Sequence, residues 1–162
     1  MMSEEGVKLE FLSPAWLAMA IAETKAALAD TPDGVSVVLK VVERFFDPPA
    51  GIMVPPEGEP GFVMEIAGGN VRARAEVLAS DHGQFEVECP WIDAWRGATM
   101  RHGPALAAFN AWRIGAKRLK IRGVLPANTA FLVGVHDRMA DRTLEPSAML
   151  HPEHPLWEPA PA

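Results

Sequence analysis

The sequence predicts an α+β fold: a five-stranded, mainly antiparallel sheet with helices packed on one face. Three observations lead there. Four alternating segments follow one another between residues 35 and 89, separated by turn-forming Gly, Asn, Asp and Pro. Helical periodicity is confined to the stretches before and after that block, so repeated βαβ units are excluded. One face of the alternating segments is apolar and needs covering, which the helices can supply.

The elements follow in order. Ser13-Pro14 reads as an N-cap with proline in the first turn. Trp16, Leu17, Ala20, Ile21, Thr24 and Leu28 then recur at helical spacing until Thr31-Pro32-Asp33-Gly34 ends the run. Val35 to Phe46 alternates as a long strand with one fully apolar face. Asp47 to Gly61 carries five prolines, which lack the ladder donor, so it is a connection or flap. Phe62–Ala67 and Val71–Leu78 form a hairpin around Gly68-Gly69-Asn70, residues that reach positive φ cheaply. Ser80-Asp81-His82-Gly83 reads as a second turn, leading into Gln84–Cys89 and completing a meander.

Pro90–Ala98 and Pro104–Gly115 read as helices, and Arg118–Gly123 as a fifth strand. Pro126–Thr143 closes the fold as a helix striped with Phe131, Leu132, Val135 and Met139. Residues 1–145 thus form one domain, and residues 146–162 a Pro-rich tail expected to be mobile.

Composition narrows the function. A net charge of −6 argues against a nucleic-acid surface spread over the domain. The single cysteine, Cys89, excludes an intramolecular disulfide, and its place on an alternating apolar face reads as a buried structural thiol. The absence of tyrosine removes a common acid/base and oxyanion donor. MMSEEGVKLE is acidic where a secretory leader is basic, and no apolar run is long enough for a bilayer, so a cytoplasmic protein is expected. Phosphate-loop and nucleophile-elbow patterns are missing.

Leu39, Met64, Phe85, Val87, Trp95, Phe109, Phe131, Leu132, Val135 and Met139 should face one interior. Ala73 and Ala75 on the third strand leave room there. Periodicity fits either a filled core or a cavity lined by these residues. Arg113, Lys117, Arg118, Lys120 and Arg122 place five cations within ten residues of an acidic chain. They fit either a solvated helix end and strand edge or a patch for an anionic headgroup or membrane surface. His136-Asp137 invites a metal or general-base reading, but neighbours on a helix point about 100° apart and share one ion poorly. His82 and His102 lie beside turn glycines, and His151 and His154 among tail prolines, as incidental surface residues.

Three segments carry a family likeness. FVMEIAGGN gives a strand, a Gly-containing hairpin and the start of a return strand; GQFEVECPW gives an alternating strand leading into a Trp-containing helix. FNAWRIGAKRLKIRG gives a helix followed by a short strand of alternating basic and apolar residues ending in Gly123. In this order, between about Trp16 and Thr143, the chain resembles the sterol carrier protein (SCP-2-like) domain family. It departs from that pattern at Val124, where an acidic residue is common, and in a longer Trp91–Gly115 segment interrupted by Arg101-His102-Gly103.

The resemblance implies a non-catalytic domain that holds a lipid or other long hydrophobic ligand between sheet and helices, without a cofactor or metal. An enclosed 16-carbon chain gains roughly 13 kcal/mol gross at ~0.8 per methylene. Association costs of about 4–15 kcal/mol leave micromolar binding as the expectation. The alternatives are an enzyme using His136, Asp137 or Arg142 on a small hydrophobic substrate, and a protein–protein interaction module.

Overall fold

A computed structural model describes residues 6–52 and 54–146. The first helix, α1 (Pro14–Ala29), starts where Ser13 Oγ accepts from the Trp16 amide at 3.2 Å. It buries Trp16, Ala20, Thr24 and Leu28, one residue per turn, and packs on the sheet and the last helix. The first strand, β1 (Leu39–Phe46), is shorter than the alternation of Val35–Phe46 suggests. Ser36 Oγ bonds Asp33, and Asp33 takes φ 57°, so Gly34–Ser36 winds into a 3-10 turn. This local bonding competes with the ladder and leaves Val35 and Val38 exposed.

The sheet continues with β2 (Glu59–Ala67), β3 (Asn70–Val77), β4 (Phe85–Pro90) and β5 (Lys120–Gly123). The hairpin at Gly68-Gly69 forms as read, both glycines taking positive φ. The meander does not continue through β4. The strand order is β3-β2-β1-β4-β5, and β4 runs parallel to β1, the other three pairings being antiparallel. Residues 78–84 are therefore a crossover past β1, not a hairpin turn.

Asp81 fixes that crossover. Its carboxylate accepts from Arg74 in two bonds (2.6 and 2.7 Å), from Lys40 Nζ (2.9 Å) and from the Leu78 amide (2.7 Å). Arg44 donates to its backbone carbonyl at 2.8 Å. Gln84 then bonds both Lys40 N and Val38 O, capping the entry to β1. Gly83 passes so close that a Cβ would lie 2.1 Å from the Lys40 carbonyl oxygen. Lys40, Arg44 and Arg74 thus give the uncovered sheet face a polar network, and all helices lie on the other face.

The helical side contains α2 (Trp91–Ala98), α3 (Pro104–Gly115) and α4 (Leu132–Arg142). The span 126–143, expected as one helix, divides into a 3-10 turn at Ala127–Thr129 and α4, with the Thr129 hydroxyl donating to the Pro126 carbonyl at 2.6 Å. The fifth strand starts at Lys120 rather than Arg118, because Lys117 takes φ 60° and Arg118 turns to a bidentate bond with Asp93 (2.8 and 2.8 Å). Leu9 near one end of the described residues, and Thr143 and Leu144 near the other, join this layer. Leu9 pairs with Thr143 as an isolated bridge, Trp16 Nε1 donates to Thr143 Oγ1 (2.9 Å), and Trp95 Nε1 donates to the Leu144 carbonyl (2.7 Å). Pro146 is buried, while the rest of the tail and both tail histidines lie outside the described residues.

Arg74 above all holds the Asp81 carboxyl well below the ordinary carboxylate range. The folded state therefore prefers the ionised form, and this contribution is complete above the unfolded value near ~3.9 and lost as pH falls below it. Asp81→Asn should cost about 3 kcal/mol at pH 7 by urea denaturation, since it strands two cations. The gap to the unmodified chain should narrow by about 1 kcal/mol at pH 3; a gap independent of pH would contradict the role assigned to Asp81.

Candidate ligand cleft

Between the sheet and the helices lies a cleft of about 640 Å³, within the ~300–1,000 Å³ typical of small-molecule sites. Its floor is the helix-facing side of the central strands. In one row across the sheet, Phe62 on β2, Glu43 on β1, Val87 on β4 and Ile121 on β5 stand side by side. Met64, Phe85 and Cys89 extend the floor, and Leu132, Val135 and Met139 from α4 form part of the roof.

One end is walled by aromatic rings. Phe11 meets Trp16 edge-on at 5.2 Å, and Trp16 meets Phe62 at 5.7 Å. Phe11 and Phe45 both contact Trp91 edge-on behind them, at 5.8 and 5.9 Å. Among the described residues the opposite end is open. Ile114, Ile121, Leu125 and Val133 line it while remaining 37–52% exposed, so its mouth is apolar.

Six of the ten expected lining residues face the cleft: Met64, Phe85, Val87, Leu132, Val135 and Met139. Leu39, Trp95, Phe109 and Phe131 do not line it. Leu39 and Trp95 belong to the closed core; Phe109 is fully buried within the helical layer, and Phe131 packs against the core from just before α4.

Sequence reasoning missed the polar residues of the cleft. Glu43 continues the face of Leu39 and Val41, so the inner face of β1 is not fully apolar. Its accessible surface opens into the cleft, and burial pushes its carboxyl up to about 7, partly opposed by Arg113. Arg113, counted among the surface cations, instead points into the cleft from α3. Its Nε and Nη2 both donate to Asn110 Oδ1 (3.1 and 2.8 Å), Nη1 approaches Cys89 Sγ at 4.0 Å, and the guanidinium covers the Phe109 ring at 4.7 Å. Burial disfavours its charged form. The spacing of Leu106, Phe109, Asn110 and Arg113 on one helical stripe was the available signal.

Cys89 is buried as expected, and burial pushes its thiol up to about 12, which leaves no thiolate for chemistry. At the rim, His102 is more than a turn residue. Its backbone N–H and Nδ1 both bond Asp137 Oδ1 (2.7 and 2.9 Å), and its ring meets that of His136 at 4.8 Å. His136 Nε2 donates to the Met100 carbonyl at 2.7 Å, and burial lowers its basicity. Ligand atoms of these three residues lie within 4.8 Å of one another. The bonds to Asp137 and Met100 engage one nitrogen of each ring and leave the other nitrogen of each with its lone pair available.

Of the remaining expected cations, Arg118 is held by Asp93 and lies over the Trp112 ring at 5.3 Å. Lys117, Lys120 and Arg122 are exposed; Lys120 and Arg122 flank the cleft-facing Ile121 on β5 and by strand alternation point to the opposite sheet face, where Arg122 lies 3.9 Å from Glu86. Among the described residues, no helix is long and apolar enough to cross a membrane.

Because Glu43 keeps its proton in the folded state up to about pH 7, while the unfolded chain releases it near ~4.3, stability falls as pH rises through that window. Glu43→Gln, which cannot ionise, should therefore exceed the unmodified protein in stability at pH 8 by up to about 3 kcal/mol, with the advantage vanishing by pH 4. Chemical denaturation across pH measures this, and parallel curves would contradict the desolvated setting of Glu43.

No family model matches the chain, and no curated protein matches it in sequence. Solved structures do. Sterol carrier protein 2 superposes with a TM-score of 0.54 at 15% identity, over 83% of this chain and 100% of that one. A conserved hypothetical protein from Thermus thermophilus, described as possibly a sterol carrier protein, gives 0.43 at 15% identity over 88% and 96% of the two chains. The ubiquinone synthesis protein UbiJ-SCP2 gives 0.43 at 12% identity over 78% and 96%. With its five-stranded mixed sheet, mostly antiparallel and covered by helices on one face, the chain has the SCP-2-like fold.

Proposed function

We propose that this protein binds and carries a lipid or other long hydrophobic molecule in the cleft between its sheet and helices, without transforming it. The observation that carries the reading is an apolar cleft of about 640 Å³ closed by aromatic rings at one end and open through apolar side chains at the other. A long chain can enter lengthwise, exchanging water for Met64, Val87, Val135 and Met139. The fold shared with sterol carrier protein 2 agrees with this reading.

Loading takes place from an anionic membrane surface. Lys117 follows α3 and Lys120 and Arg122 flank Ile121 on β5, close along the chain to Ile114, Ile121 and Leu125, whose exposed apolar surface lines the mouth, and to the exposed Val124. Cations bring the mouth to the headgroups, and the apolar rim shields the ligand as it leaves the bilayer.

Val87→Trp places an indole on the cleft floor. It should lower uptake of a fluorescent fatty acid at least tenfold in a titration while the far-ultraviolet circular dichroism is retained; undiminished uptake would contradict binding in the cleft. The triple substitution Lys117→Glu, Lys120→Glu and Arg122→Glu should weaken binding to vesicles rich in phosphatidylserine on the order of a hundredfold, at ~1 kcal/mol per cation. Equal binding by both proteins in vesicle sedimentation would remove the membrane route.

A further inference from the structure

An arginine set into an apolar cleft without an acid against it calls for explanation, because an uncompensated buried charge is costly. Arg113 forms no ion pair within 4.0 Å of a carboxylate among the described residues. Its protein partners are neutral: one amide oxygen of Asn110, the Cys89 sulfur and the Phe109 ring. Asn110 takes Nε and one Nη2 bond on a single oxygen, so the fork keeps donors for a further acceptor. Glu43 rises from the floor of the same cleft, more than 4.0 Å away yet near enough for each to shift the other's titration.

We propose that Arg113, oriented by Asn110, and Glu43 form a seat inside the cleft for the carboxyl end of a long-chain acid. This deepens the reading of the protein as a hydrophobic-ligand carrier and rests on it. The guanidinium fork matches a carboxylate, and the ligand supplies the charge that Arg113 lacks. Glu43 in its acid form donates the proton that a second carboxylate oxygen can accept. A phosphate dianion fits less well: the seat has one cation, a neighbouring acid and no lysine lining the cleft.

The setting of Glu43 gives the seat a pH response. Arg113 on α3 and Cys89 on β4 lie near it, and Asp93 on α2, tied to Arg118, also favours the charged form of Arg113. His136 on α4 shares the cleft, and burial favours its neutral form. Cys89 stays protonated throughout the neutral range. Ionisation of Glu43 places a second negative charge beside the bound carboxylate and weakens it.

Calorimetric titration with dodecanoate and dodecan-1-ol, both below their aggregation limits, separates the seat from the cleft. The unmodified protein at pH 6.5 should bind the acid about ten- to a hundredfold more tightly than the alcohol. Arg113→Met should erase that preference. Between pH 6.5 and 8.5 the preference should fall about tenfold in the unmodified protein and stay level in Glu43→Gln. Equal affinity for acid and alcohol would overturn the seat and leave the cleft as a hydrophobic carrier site. Binding of neither would overturn both. The comparison in the unmodified protein stands whether or not either variant folds.

Discussion

Two tryptophans tie Thr143 and Leu144 into the helical layer, and this tie decides where a cleft can open. Trp16 Nε1 bonds Thr143 Oγ1, Trp95 Nε1 bonds the Leu144 carbonyl, and Leu9 exchanges backbone bonds with Arg142 and Leu144. Helices α1, α2 and α4 are thereby joined around one end of the sheet, where Phe11, Trp16, Phe45 and Phe62 close the wall. The other end is bordered by different elements. There α3, β5 and the start of α4 present Ile114, Ile121 and Val133 to solvent around the opening.

The polar residues inside the cleft act on its shape as well as its contents. Closing α3 onto β1 would take Arg113 and Glu43 further out of contact with water. Burial already penalises the charged form of each. A cleft kept by this penalty differs from a packing defect, which apolar side chains would tend to fill. The opposite sheet face has its charges satisfied, with Asp81 gathering Lys40 and Arg74 over the crossover and Arg44 donating to its backbone.

Local chemistry made much of the fold legible in the sequence. The Ser13 cap, the Gly68-Gly69 hairpin and the proline-to-glycine span of α3 each act within a few residues, and each element appears where they place it. Strand order is different, because alternation identifies a strand's faces and not its neighbours. The turn at Ser80–Gly83 has hairpin composition, yet Asp81 spends its side chain on distant cations and carries the chain across β1. At the site, apolar periodicity found the cleft-facing stripe of α4 but could not separate residues facing a void from residues packed behind it, such as Leu39 and Trp95. Glu43 and Arg113 were readable by position, one by strand parity and one by helical spacing. The charge of Arg113 placed it among the surface cations, and Glu43 was left out of the apolar face that it continues.

The most direct measurement is native mass spectrometry of the protein purified without detergent, followed by solvent extraction and identification of what is released. The account expects one lipid-sized adduct per chain, with an extracted molecule whose bulk is a long apolar chain. A bare polypeptide mass that stays bare after incubation with long-chain acids and alcohols would contradict it.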